Sequence, residues 1–435
     1  MSATVDAPTT GDPAGSPAGG TATATTAAGP LTASTTGAAG GRVEMVRELG
    51  LDGLRGLAVA AVVVFHLDRL QGGFLGVDLF FVLSGYLITS LLLREVGATG
   101  SIGLGGFWSR RARRLLPALA LVLLGIAVLL LAFTPQGVRA GFRGEALATI
   151  GYVANWQRVV DDVGYWDMFD QPSPFDHMWS LAIEEQFYVA WPLVVLGLAV
   201  LVRRLGRRRS STGVDAGHAG RLGRVVAVVG VVGAALSLAG MAVAYDPIDT
   251  NWAYFSTPTR LGPTLLGAAL AGVVVDRPRR PGPPGWVWEL AAVAGLAVMT
   301  WLVVDTDGLR PRYYQGGLLA FALAAVVVVR AVTGGPPGLV ARALAVPPLR
   351  ALGVISYGVY LWHWPVIVYV TADRARIDGV ALDLLRVALT LAAATVSYVV
   401  VEQPIRRGVV RGRRMVPIAG LTLAVTLAAG VISTY

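Results

Sequence analysis

Lysine and cysteine are both absent from the 435-residue chain. Without cysteine there is no disulfide, no thiolate metal site and no cysteine nucleophile, and no metal site is expected from the remaining residues. Without lysine, all 36 basic side chains other than histidine are arginines, so positive charge here is always a guanidinium fork. Charge is itself scarce, at 14% of residues against 54% hydrophobic, and mean hydropathy is +0.62. A soluble domain of this length would need more polar surface. Many apolar runs approach the roughly 20 residues that cross a bilayer as a helix. They are continuous rather than alternating, which argues against a β-barrel, and lipid offers the backbone no partner outside a helix. The sequence therefore reads as an all-α, polytopic transmembrane helix bundle embedded in a lipid bilayer.

Eleven spans are expected, at about 53–70, 74–93, 115–134, 179–202, 224–245, 257–275, 286–304, 315–333, 352–372, 380–401 and 416–434. Arginine orders them. Clusters follow alternate spans, as in RRARR (Arg110 to Arg114), RRLGRRR (Arg203 to Arg209) and RPRR (Arg277 to Arg280). The intervening loops are arginine-poor and carry aspartates such as Asp161, Asp162, Asp246 and Asp305. By the positive-inside rule the arginine side and the N-terminus are expected in the cytoplasm, with the C-terminus outside and the protein in the inner or plasma membrane. The net charge of +9 then reflects topology, and a nucleic-acid partner has little support. Residues 1–41, rich in Ala, Thr, Gly and Pro, read as a disordered tail without the features of a signal peptide. The membrane domain is expected over 42–410, with an additional helix in 411–435, and the long outer segment 135–178 is expected to cap the outer face with short interfacial helices.

Ionisable residues inside spans are functional hypotheses by default. In GLRGLAVAAVVVFH (Gly53 to His66), Arg55 and His66 stand eleven residues apart, nearly on one helix face and roughly 16 Å apart in height. Asp78 lies about one turn inside the next span and is expected to orient the His66 imidazole as a general base; its alternative role is structural, paired with Arg69 or Arg260. Glu184 and Glu185 in HMWSLAIEEQFY, and Arg260 in STPTRLG, are expected in that same outer layer. SYGVYLWHWP (Ser356 to Pro365) adds Tyr357, Tyr360 and His363; for His363 and its tryptophans, packing and interfacial anchoring is a simpler reading than catalysis. On the opposite side, Arg110, Arg111, Arg113 and Arg114 suit phosphate recognition, although topology alone predicts a basic cluster there. His177 and His218 read as loop residues, and EQPIRR (Glu402 to Arg407) as an anchor.

Taken in order, LDGLRG with its R-x10-H spacing, GVDLFFVLSGYLIT, RRARRLLP, WSLAIEEQFY, TPTRLG and ISYGVYLWHWP resemble the acyltransferase-3 family of integral membrane acyltransferases. The resemblance covers about residues 45–410. It implies transfer of an acyl group, usually acetyl, from cytoplasmic acyl-CoA as co-substrate, with no bound cofactor, to a hydroxyl of a carbohydrate or glycolipid acceptor. By the resemblance His66 is the catalytic residue, Arg55 its partner, and the Arg110 to Arg114 cluster the donor contact. Asp78, Glu184 and Glu185 are expected in catalysis, and Arg260, Tyr357, Tyr360 and His363 at the acceptor. Many members carry an extracytoplasmic SGNH-type domain after the membrane part. The sequence here ends with the last expected span, so a hand-on step is expected either to need a separate extracytoplasmic transferase or not to apply here. Whether His66 acts as base or is itself acylated stays open. So do a transporter or flippase of an acyl donor or lipid-linked sugar, a structural subunit of an envelope complex, and an acyltransferase acting on a small glycosylated metabolite such as a macrolide.

Overall fold

The computed structural model describes residues 49–161, 172–207, 218–275, 284–333 and 338–407. The expected tail over 1–41 and the expected span over 416–434 lie outside these residues. All regular structure among the described residues is helical. Three long helices, α1 (Leu49–His66), α2 (Leu75–Thr99) and α3 (Leu104–Phe133), lead into a short pair, α4 (Phe142–Ile150) and α5 (Ala154–Asp161). Then come α6 (Met178–Arg207), α7 (His218–Ala244), α8 (Gly262–Val274) and α9 (Gly285–Asp305). The last four are α10 (Leu318–Thr333), α11 (Pro347–Val354), α12 (Ser356–Tyr369) and α13 (Gly379–Val396).

Eight described helices are long and apolar enough to cross a membrane, and α11 with α12 makes a ninth, bent by 73°. The chain is a multi-pass membrane protein. The span expected over 257–275 is broken: a four-residue helical turn, Thr257–Arg260, precedes α8, which has only 13 residues. Pro258 and Pro263 explain the break, since each removes a backbone donor near a helix start. The span expected over 352–372 starts instead with α11 lying across the direction of α12.

Two glycine contacts set the bundle's centre. A Cβ on Gly85 of α2 would lie 1.8 Å from the Thr264 carbonyl oxygen, and one on Gly267 of α8 would lie 2.0 Å from that of Val82. The two backbones therefore touch directly, the mode by which small residues drive helix association in lipid. Gly53 of the LDGLRG stretch does the same against the Leu344 carbonyl, at 1.8 Å, which fixes the end of α1 that carries Arg55.

The outer segment is more than an interfacial cap. The α4–α5 turn dips into the bundle, where the Tyr152 carbonyl accepts a hydrogen bond from Gln186 Nε2 at 2.8 Å. Gln186 stands eight residues inside α6, about 12 Å below its start. Tyr152 makes the turn with a φ of 53°, in the left-handed region that costs a non-glycine residue about 1–2 kcal/mol. Polar side chains repay the insertion: Asn155 Nδ2 donates to the Phe255 carbonyl and to Thr257 Oγ1, each at 3.0 Å, and Thr257 Oγ1 donates to Gln186 Oε1 at 2.6 Å.

Candidate active site

Three of the chain's four histidines meet near the arginine-poor end of the bundle. His66 closes α1, His363 lies in the middle of α12, and His177 immediately precedes α6; all three are buried. The rings of His66 and His363 are 4.9 Å apart between centroids, and those of His363 and His177 5.4 Å. Their hydrogen bonds select the tautomers. His363 Nδ1–H donates to the Tyr360 carbonyl at 2.6 Å, which leaves Nε2 with a lone pair. That nitrogen stands 3.2 Å from Nδ1 of His66, whose proton it shares with the Val62 carbonyl at 2.9 Å. This assignment, drawn from the bonding pattern, leaves the basic lone pair of His66 on Nε2. Trp364 packs against the same imidazole at 4.9 Å, and its Nε1 is fixed by the Ser173 carbonyl at 2.6 Å.

A cavity runs toward this cluster from the arginine-rich face. Its volume of about 80 Å³ is several times what one water molecule occupies. Arg55, Arg111 and Arg114 line it at one end, Ser84, Glu184, Tyr188 and Tyr357 midway, and Ser180 and Tyr360 at the other. Both Ser84 Oγ and Tyr188 OH donate to the same oxygen of Glu184. Tyr360 OH donates to the His177 carbonyl at 2.8 Å, and Tyr357 OH to the Leu115 carbonyl at 3.3 Å. The Tyr360 carbonyl is the group that holds His363, so the far end of the cavity is one hydrogen bond from the histidines. The arginine cluster divides as a helix requires. Arg111 and Arg114, three apart, face the cavity, with Arg111 also 5.1 Å over the Tyr188 ring. Arg110 and Arg113 are exposed; Arg110 pairs with Glu95 at 3.5 Å and Arg113 bonds back to Ser109.

Three expectations need correction. Asp78 does not orient His66: its carboxylate pairs with Arg260 at 2.9 Å and accepts from Tyr313 OH at 3.5 Å, with both partners fully buried. The His66 Nδ1 proton goes to a carbonyl and to His363 instead. Arg260 does not face an acceptor either, being 0% exposed and enclosed by the rings of Phe81, Trp179, Tyr254 and Tyr313. A charge so enclosed is tolerable only because Asp78 neutralises it. Glu184 and Glu185 do not join the histidine layer, because α6 carries them one to two turns past its start, to mid-bundle. There Glu184 faces the cavity, while Glu185 Oε1 is buried with no hydrogen bond to any described residue. His177, Ser84 and Tyr188, in turn, lie within stretches the sequence already singled out, but nothing local marked them. Tyr313 lies in none of those stretches.

The arrangement thus sets a buried histidine cluster beside a mainly apolar cavity whose lining includes Arg55, Arg111 and Arg114. A family model described as an acyltransferase domain matches residues 48–402. The peptidoglycan O-acetyltransferase OatA of Listeria monocytogenes is 35% identical over 364 residues, 82% of this chain and 55% of that protein. The O-acetyltransferase OatA of Staphylococcus aureus is 34% identical over 365 residues, 82% of this chain and 57% of that one. YrhL of Bacillus subtilis is 36% identical over 366 residues, again 82% of this chain and 54% of its own length. The chain spans little more than half the length of these curated relatives. No solved structure matches it. The ordered motifs, the helices that carry them and the matched domain agree, and the chain belongs to the acyltransferase-3 family.

Proposed function

We propose that the protein is a plasma-membrane O-acyltransferase that moves an acyl group, acetyl in the first instance, from acyl-CoA to a hydroxyl of a cell-envelope carbohydrate. Peptidoglycan is the acceptor to which its relatives' names point. The single observation that carries the reading is the cavity joining Arg55, Arg111 and Arg114 to Tyr360, the residue that holds His363 against His66. Guanidinium forks suit the phosphates of such a donor. The positive-inside rule favours a cytoplasmic arginine face, and the narrow passage suits a slender arm bearing a thioester. In this reading Glu184, Ser84, Tyr357 and Tyr360 line the arm.

His66 Nε2 then takes the proton of the acceptor hydroxyl. The hydroxyl oxygen bonds to the thioester carbonyl carbon, the carbon–sulfur bond breaks with its electron pair on sulfur, and the proton is finally returned to that thiolate. No metal or bound cofactor enters these steps. The test is purified protein in liposomes, supplied with acetyl-labelled acetyl-CoA and a soluble peptidoglycan oligosaccharide. Labelled ester is expected, and His66→Ala should lower its formation by about 10²-fold or more while the protein stays folded. Undiminished transfer by His66→Ala would overturn the reading; release of intact donor across the bilayer without ester would support a transporter instead.

A further inference from the structure

We infer that His363 is a positioning residue that takes up the proton displaced from His66, so that the two imidazoles hold one proton between them during transfer. The inference rests on His66 acting as the base. Its ground is geometric. His363 Nε2 carries a lone pair, because Nδ1–H is committed to the Tyr360 carbonyl at 2.6 Å. That lone pair faces His66 Nδ1 at 3.2 Å, inside a site where His363 is 0% exposed. The Val62 carbonyl, at 2.9 Å, already suffices to fix the His66 tautomer. A second acceptor at the same nitrogen is superfluous for orientation, and unlike a carbonyl it can accept the proton outright.

The carboxylate that would ordinarily stabilise such an imidazolium is elsewhere, since Asp78 is committed to Arg260. When His66 Nε2 gains the hydroxyl proton, Nδ1–H moves to His363 Nε2. His66 returns to a neutral imidazole with its proton on Nε2, and His363 becomes the imidazolium, with a carbonyl on its other N–H. The transfer reverses as the leaving thiolate takes its proton, so no net proton is gained or lost by the pair. The titratable groups that face His363 among the described residues are His66 from α1, His177 ahead of α6, and Tyr360 on its own helix. None of them is acidic at neutral pH, so the second imidazole is the available proton acceptor.

Two measurements test this. Glutamine at position 363 can still accept a hydrogen bond from His66 Nδ1–H but cannot hold a proton. His363→Gln is therefore expected to lower kcat by about 10²-fold at unchanged donor KM. Wild-type kcat in that variant would overturn the proposal. The second measurement uses the unaltered protein and needs no substrate. Four histidines make ring-nitrogen NMR of histidine-labelled protein in detergent tractable. As pH falls, the His66 and His363 nitrogens are expected to shift together on uptake of one shared proton, as a coupled pair does. His363 nitrogens that stay neutral throughout the His66 titration would overturn the proposal even if the acyltransferase reading stands.

Discussion

At the scale of single residues, the fold separates side chains that the sequence groups: His66 lies with His363, and Asp78 with Arg260. Arg55 and His66 were legible because their relation is set by one helix, where spacing alone fixes height and face. Asp78 was legible only as a choice between His66 and an arginine partner; the structure takes the second, with Arg260, because the choice depends on how α2 meets the residues around Arg260, which no local pattern encodes. The distinction is measurable. Asp78→Asn and Arg260→Met should each destabilise the protein by about 3–5 kcal/mol, because each strands a buried charge, whereas a doubly apolar replacement should recover much of the loss. Thermal unfolding in detergent would check this; single variants that keep wild-type stability and lose only activity would return Asp78 to catalysis. The arginines divide in the same way. Arg111→Ala or Arg114→Ala should raise the KM for acetyl-CoA by about tenfold, the scale of one charged hydrogen bond. Arg110→Ala and Arg113→Ala, whose side chains point away from the cavity, should change it by less than about twofold.

Among the elements, the α2–α8 contact and the inserted α4–α5 hairpin position the site. Most of the long spans were legible from apolar runs, although eight or nine of the eleven expected are seen among the described residues; the break at Arg260, the bend between α11 and α12, and the hairpin's insertion were not legible. Each depends on polar groups finding partners across the bundle. Ser84 points into the cavity because its neighbour Gly85 lets α2 lie directly against α8. Gly85→Leu should push the helices apart, destabilise the protein by about 1–3 kcal/mol or more, and impair transfer with it. The hairpin is clasped at its outer end by Arg158 with Asp176, by Glu145 with Ser173, and by the Ser173 amide on Asp176 at 2.8 Å. Burial pushes the Asp176 carboxyl up to about 7 despite the opposing Arg158 charge, and burial likewise raises Glu145. A carboxyl raised on folding favours the folded state when protonated. Its contribution is full below the unfolded value of about 3.9 and is lost as pH rises toward 7. The melting temperature should therefore fall between about pH 4 and pH 7, and fall less in Asp176→Asn. An identical slope in the two proteins would contradict the assignment.

For the whole molecule, the bundle buries three histidines near its arginine-poor end and holds, beside them, a cavity lined by three arginines. In the proposed function the arginine end of that cavity takes a charged donor. Composition already announced the membrane, and ordered motifs announced the family. What they left unsaid is that the cavity is lined by Ser84 of α2 together with Glu184 and Tyr188 of α6. The central claim is transfer across the bundle, and sealed vesicles of known orientation test it most directly. With labelled acetyl-CoA confined to the arginine side and a peptidoglycan oligosaccharide confined to the other, labelled ester should form on the sequestered acceptor. It should be lost in His66→Ala vesicles and, at donor concentrations below KM, fall by about tenfold in Arg111→Ala vesicles. Ester formed only when donor and acceptor share a compartment would contradict the account.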